Sequence, residues 1–115
     1  MTTYRWNDIP GEQLGPLTVR RAIHGATMTM GRFELKKGCV VPMHSHVNEQ
    51  FSTIESGCLK FMSEGKEILV RAGETLVIPP NVPHSAEAVE DTVATDFFAP
   101  IRQDWVDGTD AYLRK

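Results

Sequence analysis

The feature that most limits what this chain can become is a rhythm. From Leu17 to Pro100, short runs rich in Val, Ile, Leu, Thr and Phe are cut by Gly, Pro, Asn or charged pairs about every eight to twelve residues. That spacing predicts an all-β domain, with strands over Leu17–Ile23, Met28–Leu35, Val40–His44, Gln50–Glu55, Cys58–Ser63, Glu67–Arg71, Thr75–Ile78, His84–Val89 and Val93–Phe98. Short strands in this number close into a barrel or pack as a two-sheet sandwich. Ser63-Glu64-Gly65-Lys66 reads as a hairpin tip and Ala72-Gly73-Glu74 as a tight reversal, so consecutive antiparallel pairing is expected.

The 115 residues, 41% of them hydrophobic, suit a single domain over 1–115 with one core around a modest pocket. Residues 1–16, with Pro10-Gly11 and Gly15-Pro16, read as an irregular lead-in, 17–100 as the barrel, and 101–115 as a C-terminal segment. In that segment Trp105, Tyr112 and Leu113 are expected to anchor a short helical turn against the barrel. Twelve Lys and Arg against 15 Asp and Glu give a net charge of -3, and no basic block is present to neutralise a row of phosphates. Nucleic acid is therefore excluded as a partner. The apolar runs are far shorter than a membrane crossing requires, and the polar start lacks an apolar leader core, so no membrane association and a cytoplasmic location are expected. In that setting Cys39 and Cys58 are expected to be reduced, buried and without a catalytic part, although two thiols are enough for a disulfide.

Histidine carries the chemistry. Of four, His44 and His46 flank Ser45, His84 follows Pro83, and His24 stands apart beside Gly25. On a strand, residues two apart project to one face, so His44 and His46 can chelate one ion; an H-x-H pair alone is also ordinary surface polarity. Pro42 and the run Pro79-Pro80-Asn81-Val82-Pro83 stiffen the backbone before each histidine group, and Asn81 suits a left-handed turn.

With the glycines added, the spacing becomes diagnostic. Gly38, His44, His46, Gln50 and Gly57 resemble the first cupin motif, G(X)5HXH(X)3-4E(X)6G, with Gln50 at the glutamate position. Gly73, Pro79, Asn81 and His84 resemble the second, G(X)5PXG(X)2H(X)3N, with Asn81 replacing its glycine and Ala88 its last asparagine. The short stretch from Cys58 to Ala72 between them is similar to that of small single-domain members of the cupin 2 type. The resemblance implies a jelly-roll (double-stranded β-helix) barrel with one divalent ion at its mouth, held by His44, His46, Gln50 and His84. Glu49 competes with Gln50 as ligand, but it misses the family's gap to Gly57 by one residue, and that shift would aim it at the opposite face. Three neutral imidazoles and an amide leave the charge of the ion uncompensated, which favours an anionic ligand and Lewis-acid work. Nickel, zinc, iron and manganese all suit such a set.

A second cluster closes the last strand, Asp96-Phe97-Phe98-Ala99-Pro100-Ile101-Arg102, where alternation puts Asp96 and Phe98 on one face. If that face is the interior, Asp96 is a carboxylate beside the metal and Arg102 can fork onto a substrate carboxylate. If it is the exterior, Asp96 is solvated and Arg102 pairs with Glu90 or Asp104 at the surface. The H-S-H-x-x-x-Q run with this ending is similar to the pectin-degradation cupins of the KdgF type. That likeness implies ring opening of 4,5-unsaturated monouronates to linear keto forms, with Asp96 and Arg102 catalytic and Phe98 and Arg102 binding the small anionic substrate. An iron-dependent cupin dioxygenase and a non-catalytic cupin binding a small molecule or sugar acid are the rival readings. Met28, Met30 and Arg32 either line a pocket or fill core, the second being the expectation for the methionines. A homodimer is expected, with Tyr4 and Trp6 of the lead-in packing on a partner.

Overall fold

A computed structural model describes residues 1–113; Arg114 and Lys115, the end of the expected C-terminal segment, lie outside the described residues. A 3-10 turn at Trp6–Asp8 precedes ten strands: β1 (Glu12–Gly15), β2 (Thr18–His24), β3 (Thr29–Leu35), β4 (Val40–His44), β5 (Glu49–Ser56), β6 (Cys58–Ser63), β7 (Lys66–Arg71), β8 (Thr75–Ile78), β9 (His84–Ala88) and β10 (Thr92–Ala99). Helix α1 (Gln103–Asp107) and a 3-10 turn at Ala111–Leu113 follow. No helix among the described residues is long and apolar enough to cross a membrane.

All nine expected strands are present, and β1 is an addition inside the lead-in, pairing with β2 through Glu12↔Arg20 and Gln13↔Val19. Its single apolar side chain, Leu14, is buried in the core, which is what holds so polar a stretch in place. The pairing departs from the expected consecutive order. Two antiparallel sheets form, β1-β2-β3-β10-β5-β8 and β4-β9-β6-β7, so most neighbours are distant in sequence. The hairpin at Ser63↔Lys66 is as expected, with Glu64 and Gly65 both at positive φ. The reversal at Ala72-Gly73-Glu74, by contrast, carries the chain from one sheet to the other, and β8 pairs with β5. A meander of consecutive hairpins would leave one apolar face of a single sheet wet, whereas crossing between two sheets lets each cover the other.

The core lies between the sheets and comprises Leu14, Phe33, Leu35, Ile54, Leu59, Phe61, Val70, Ile78, Phe98 and Trp105 among others. In β3 burial alternates residue by residue, sending Phe33 and Leu35 inward and Arg32 and Glu34 outward. Arg32 therefore pairs with Glu55 at 2.6 Å on the outer face; Met30 shares that face and Met28 lines a groove on it with Phe51 and Phe97, so neither methionine is core filler. Both cysteines are buried free thiols. The register aims the polar residues at one end of this core: His44 lies opposite His84, Gln50 opposite Phe98, and Asp96 opposite Ser52.

Candidate metal centre

β4 supplies His44, the β4–β5 loop His46, β5 Gln50, and β9 His84. One ring nitrogen from each of His44, His46 and His84 lies within 4.8 Å of the others. The other nitrogen of each is fixed from behind: Nδ1–H of His44 donates to the Pro42 carbonyl at 2.7 Å, that of His46 to Asn48 at 3.0 Å, and that of His84 to Val82 at 2.8 Å. A carbonyl behind each ring selects the tautomer whose Nε2 carries a bare lone pair, and this is how proteins orient metal-binding imidazoles. Burial, above all, pushes His44 and His46 down to about 4 and lowers His84 as well, so all three are neutral at neutral pH. The loops are tied together by Asn81, at φ 65°, whose N–H donates to the His46 carbonyl at 2.8 Å.

Gln50 is buried and faces this group, while Glu49 is exposed on the opposite side of β5. The Gln50 amide nitrogen donates to Ser52 Oγ at 2.9 Å and to Asp96 Oδ2 at 3.2 Å, which turns Oε1 to within 3.0 Å of His46 Nε2. With His46 Nδ1 already donating, two lone pairs point at each other. His84 Nε2 is likewise buried, with no hydrogen-bond partner among the described residues. A divalent cation relieves both defects at once, and three imidazoles with one amide oxygen form a neutral donor set that suits one. The residues present fit the ion that the motif implies.

Asp96 and Phe98 both face inward, lining a cavity of about 50 Å³ with His44, Gln50, His84 and Arg102. Burial is the main cause that pushes the Asp96 carboxyl up to about 7, against hydrogen bonds from Ser52 and Gln50 and the charge of Arg102. Among the described residues Oδ1 of Asp96 has no hydrogen-bond partner. Arg102 is buried rather than at the surface, yet its fork is turned to Asp104, with Nε to Oδ1 at 2.9 Å and Nη2 to Oδ2 at 2.8 Å. Nη2 also donates to the Tyr112 hydroxyl. The bidentate capture of a substrate carboxylate expected of Arg102 is thus taken up by Asp104, and Nη1 is the nitrogen these bonds leave over. The guanidinium lies 4.7 Å over the Phe98 ring and 4.7 Å over Trp105.

These two motifs and two sheets have counterparts. A family model described as the cupin domain matches residues 31–98, more than half of the chain. The chain is a cupin. Its fold is similar to the structure of KdgF from Halomonas sp., with a TM-score of 0.84 and 22% identity over 90% of this chain and 99% of that one. An RmlC-like cupin from Shewanella frigidimarina gives 0.83 and 22% over 89% and 93%, and a predicted oxalate decarboxylase from Thermotoga maritima 0.77 and 18% over 86% and 99%. A 3-hydroxyanthranilate 3,4-dioxygenase of Lodderomyces elongisporus is 50% identical over 38 residues, 31% of this chain and 22% of the relative. The cupin thus spans about a fifth of that curated relative's length.

Two residues have no site role in the sequence reading, although Tyr112 is expected as an anchor of the C-terminal segment on the barrel. Ser52, fully buried against Gln50, lies two positions along β5, where a strict period of two would have found it. Tyr112 stacks on His44 with ring centroids 4.4 Å apart and planes 25° apart. Its distance along the chain from every motif left no signal of that contact.

Proposed function

We propose that this cupin binds one divalent ion through His44, His46, Gln50 and His84 and opens the ring of a 4,5-unsaturated monouronate to its linear keto form. The observation that carries the reading is a carboxyl with pKa about 7, Asp96, buried within hydrogen-bond reach of Gln50 and facing the same cavity as His44 and His84. In the metal-free protein such a group exists in both protonation states near neutral pH, and a carboxyl so buried beside the site is placed for acid–base work. The bound ion would supply Lewis-acid polarisation of a ring or carboxylate oxygen. Asp96 exchanges the proton that ring opening moves between oxygen and carbon, and its unpartnered Oδ1 is the atom free to do so. Arg102 supplies positive charge toward the substrate carboxylate, and Phe98 packs the sugar face. The neutral donor set favours an anionic substrate.

The test is elemental analysis of the purified protein together with the ultraviolet absorbance of an unsaturated galacturonate. The absorbance should decay with the metal-loaded protein and persist with the chelated one. The short stretch shared with a dioxygenase supports a second reading, iron-dependent oxygen chemistry; oxygen uptake by the iron-loaded protein separates the two. Binding of the acid without chemical change would instead support the non-catalytic reading. We infer a homodimer as well, supported by an apolar row, Ile23, Met30, Phe97, Phe51 and Val77, running across the outer face of the six-stranded sheet. Phe51 and Val77 in that row are 42% and 48% exposed. Sedimentation velocity reads the oligomeric state.

A further inference from the structure

The cavity beside the metal ligands measures about 50 Å³, enough for an ion with a water or two, since one water takes up about 30 Å³ in the liquid. A sugar acid needs far more, and sites for ligands of that size usually exceed roughly 300 Å³. Something must move, and the fold narrows the choice. Most of the wall is strand, and α1 is locked by Trp105, whose ring is contacted by the guanidinium groups of Arg20 at 4.2 Å and Arg102 at 4.7 Å. Asp110 is pinned by its ion pair with Arg20 at 2.7 Å. Beyond Asp110 the turn at Ala111–Leu113 has no buried residue, and it carries Tyr112 over His44.

On the far side of that turn lies a second cavity of about 170 Å³, lined by Leu17, Thr18, Cys39 and Val40. Phe33, Val41, Tyr112 and Leu113 line both cavities, so the wall between them is built from β3, β4 and the turn, and the turn is its part outside the strands. It sits against β4, an edge strand of its sheet. Moving the Tyr112 ring aside opens the part of that wall that covers His44.

Resting on the uronate reading, we propose that Tyr112 is a specificity-determining residue: a sugar acid binds by displacing its ring from His44, and a substrate oxygen takes over the hydrogen bond that Arg102 Nη2 now gives the Tyr112 hydroxyl. Acids small enough for the existing cavity leave the ring in place. Tyr112 thereby sets a size threshold above which binding must open that wall.

The chain has two tyrosines, Tyr4 and Tyr112, so fluorotyrosine labelling gives two fluorine resonances, and Tyr112→Phe assigns them. D-galacturonate and acetate are the probes, added to the metal-loaded protein with calorimetry in parallel. Galacturonate should shift the Tyr112 resonance toward its solvent-exposed position, and acetate should not. Tyr112→Ala should bind galacturonate about tenfold more tightly, because the binding-competent state no longer has to be populated first, with acetate affinity changed less than about twofold. Galacturonate bound with the Tyr112 resonance unmoved, or both acids moving it alike, overturns the size-threshold role and leaves the uronate reading standing. Failure of wild type and Tyr112→Ala alike to bind galacturonate overturns both.

Discussion

Replacing Asp96 by Asn should stabilise the metal-free protein at alkaline pH while removing its activity. In the folded chain burial pushes this carboxyl from 3.8 up to about 7. A carboxyl whose folded pKa lies above its unfolded one binds more protons folded than unfolded between the two values, so stability is lost as pH rises through that window. The full shift of about 3 units corresponds to roughly 4 kcal/mol at 1.36 kcal/mol per unit. About 1 kcal/mol of this is already lost near pH 4.5, leaving about 3 kcal/mol to appear between there and about pH 8. Asn has no proton to lose, and its Oδ1 can still accept the N–H of Gln50 that now reaches Asp96 Oδ2 at 3.2 Å. Guanidinium unfolding of chelator-treated wild type and Asp96→Asn at the two pH values reads the difference directly, and histidine titrations common to both proteins cancel. The variant should gain about 3 kcal/mol on wild type from the lower to the higher pH, and its uronate turnover should fall by about 10²-fold or more. A stability difference that does not change with pH would show that Asp96 is already ionised when folded, and its part as a proton carrier at neutral pH would fall with it.

Other consequences are simpler to read. His84→Ala should reduce bound metal from one ion per chain to near none by elemental analysis after dialysis, while Glu49→Ala on the exposed face of β5 should leave it unchanged. Because burial holds His44 and His46 neutral down to about 4, protons should begin to displace the ion only near that pH, and equilibrium dialysis showing half-loss near the ordinary histidine value would contradict this. Gly57→Ala should lower the melting temperature sharply, by about 2 kcal/mol or more of stability, since a Cβ there would sit 2.3 Å from the Asp91 carbonyl oxygen at a φ of +89°.

The strands were legible because each is an apolar run ended by a residue that cannot continue it, and the metal ligands because their motifs fix local spacing. What the sequence hid is what meets across the barrel. Alternation alone could not say whether Asp96 looked inward; the pairing of β10 between β3 and β5 settles it by setting Asp96 across from Gly31 and Ser52, both on the buried faces of their strands. Arg102 offered its fork to substrate on paper, yet Asp104, two residues on, reaches it first. The ion pair from Arg20 to Asp110 joins residues 90 apart, and no local pattern announces a partner at such range. β1 was missed for a related reason: Glu12-Gln13-Leu14-Gly15 has one apolar residue, and its strand character comes from the neighbour it pairs with.

Buried polar atoms without partners divide into two kinds here, and the division bears on which of them a ligand completes. Arg20 Nε and Trp105 Nε1 both lack a hydrogen-bond partner among the described residues, but they belong to the guanidinium–indole contact that locks α1, where each group is held by its other contacts. His84 Nε2 and Asp96 Oδ1 are different, because both residues line one small cavity and their remaining polar atoms are already committed to Val82 and to Gln50. An orphan inside that contact costs stability that the contact returns. Orphans that converge on a cavity cost stability that only an occupant can return, so the ion and the acid it attracts should raise the unfolding midpoint well beyond what divalent ions do to a protein lacking His84.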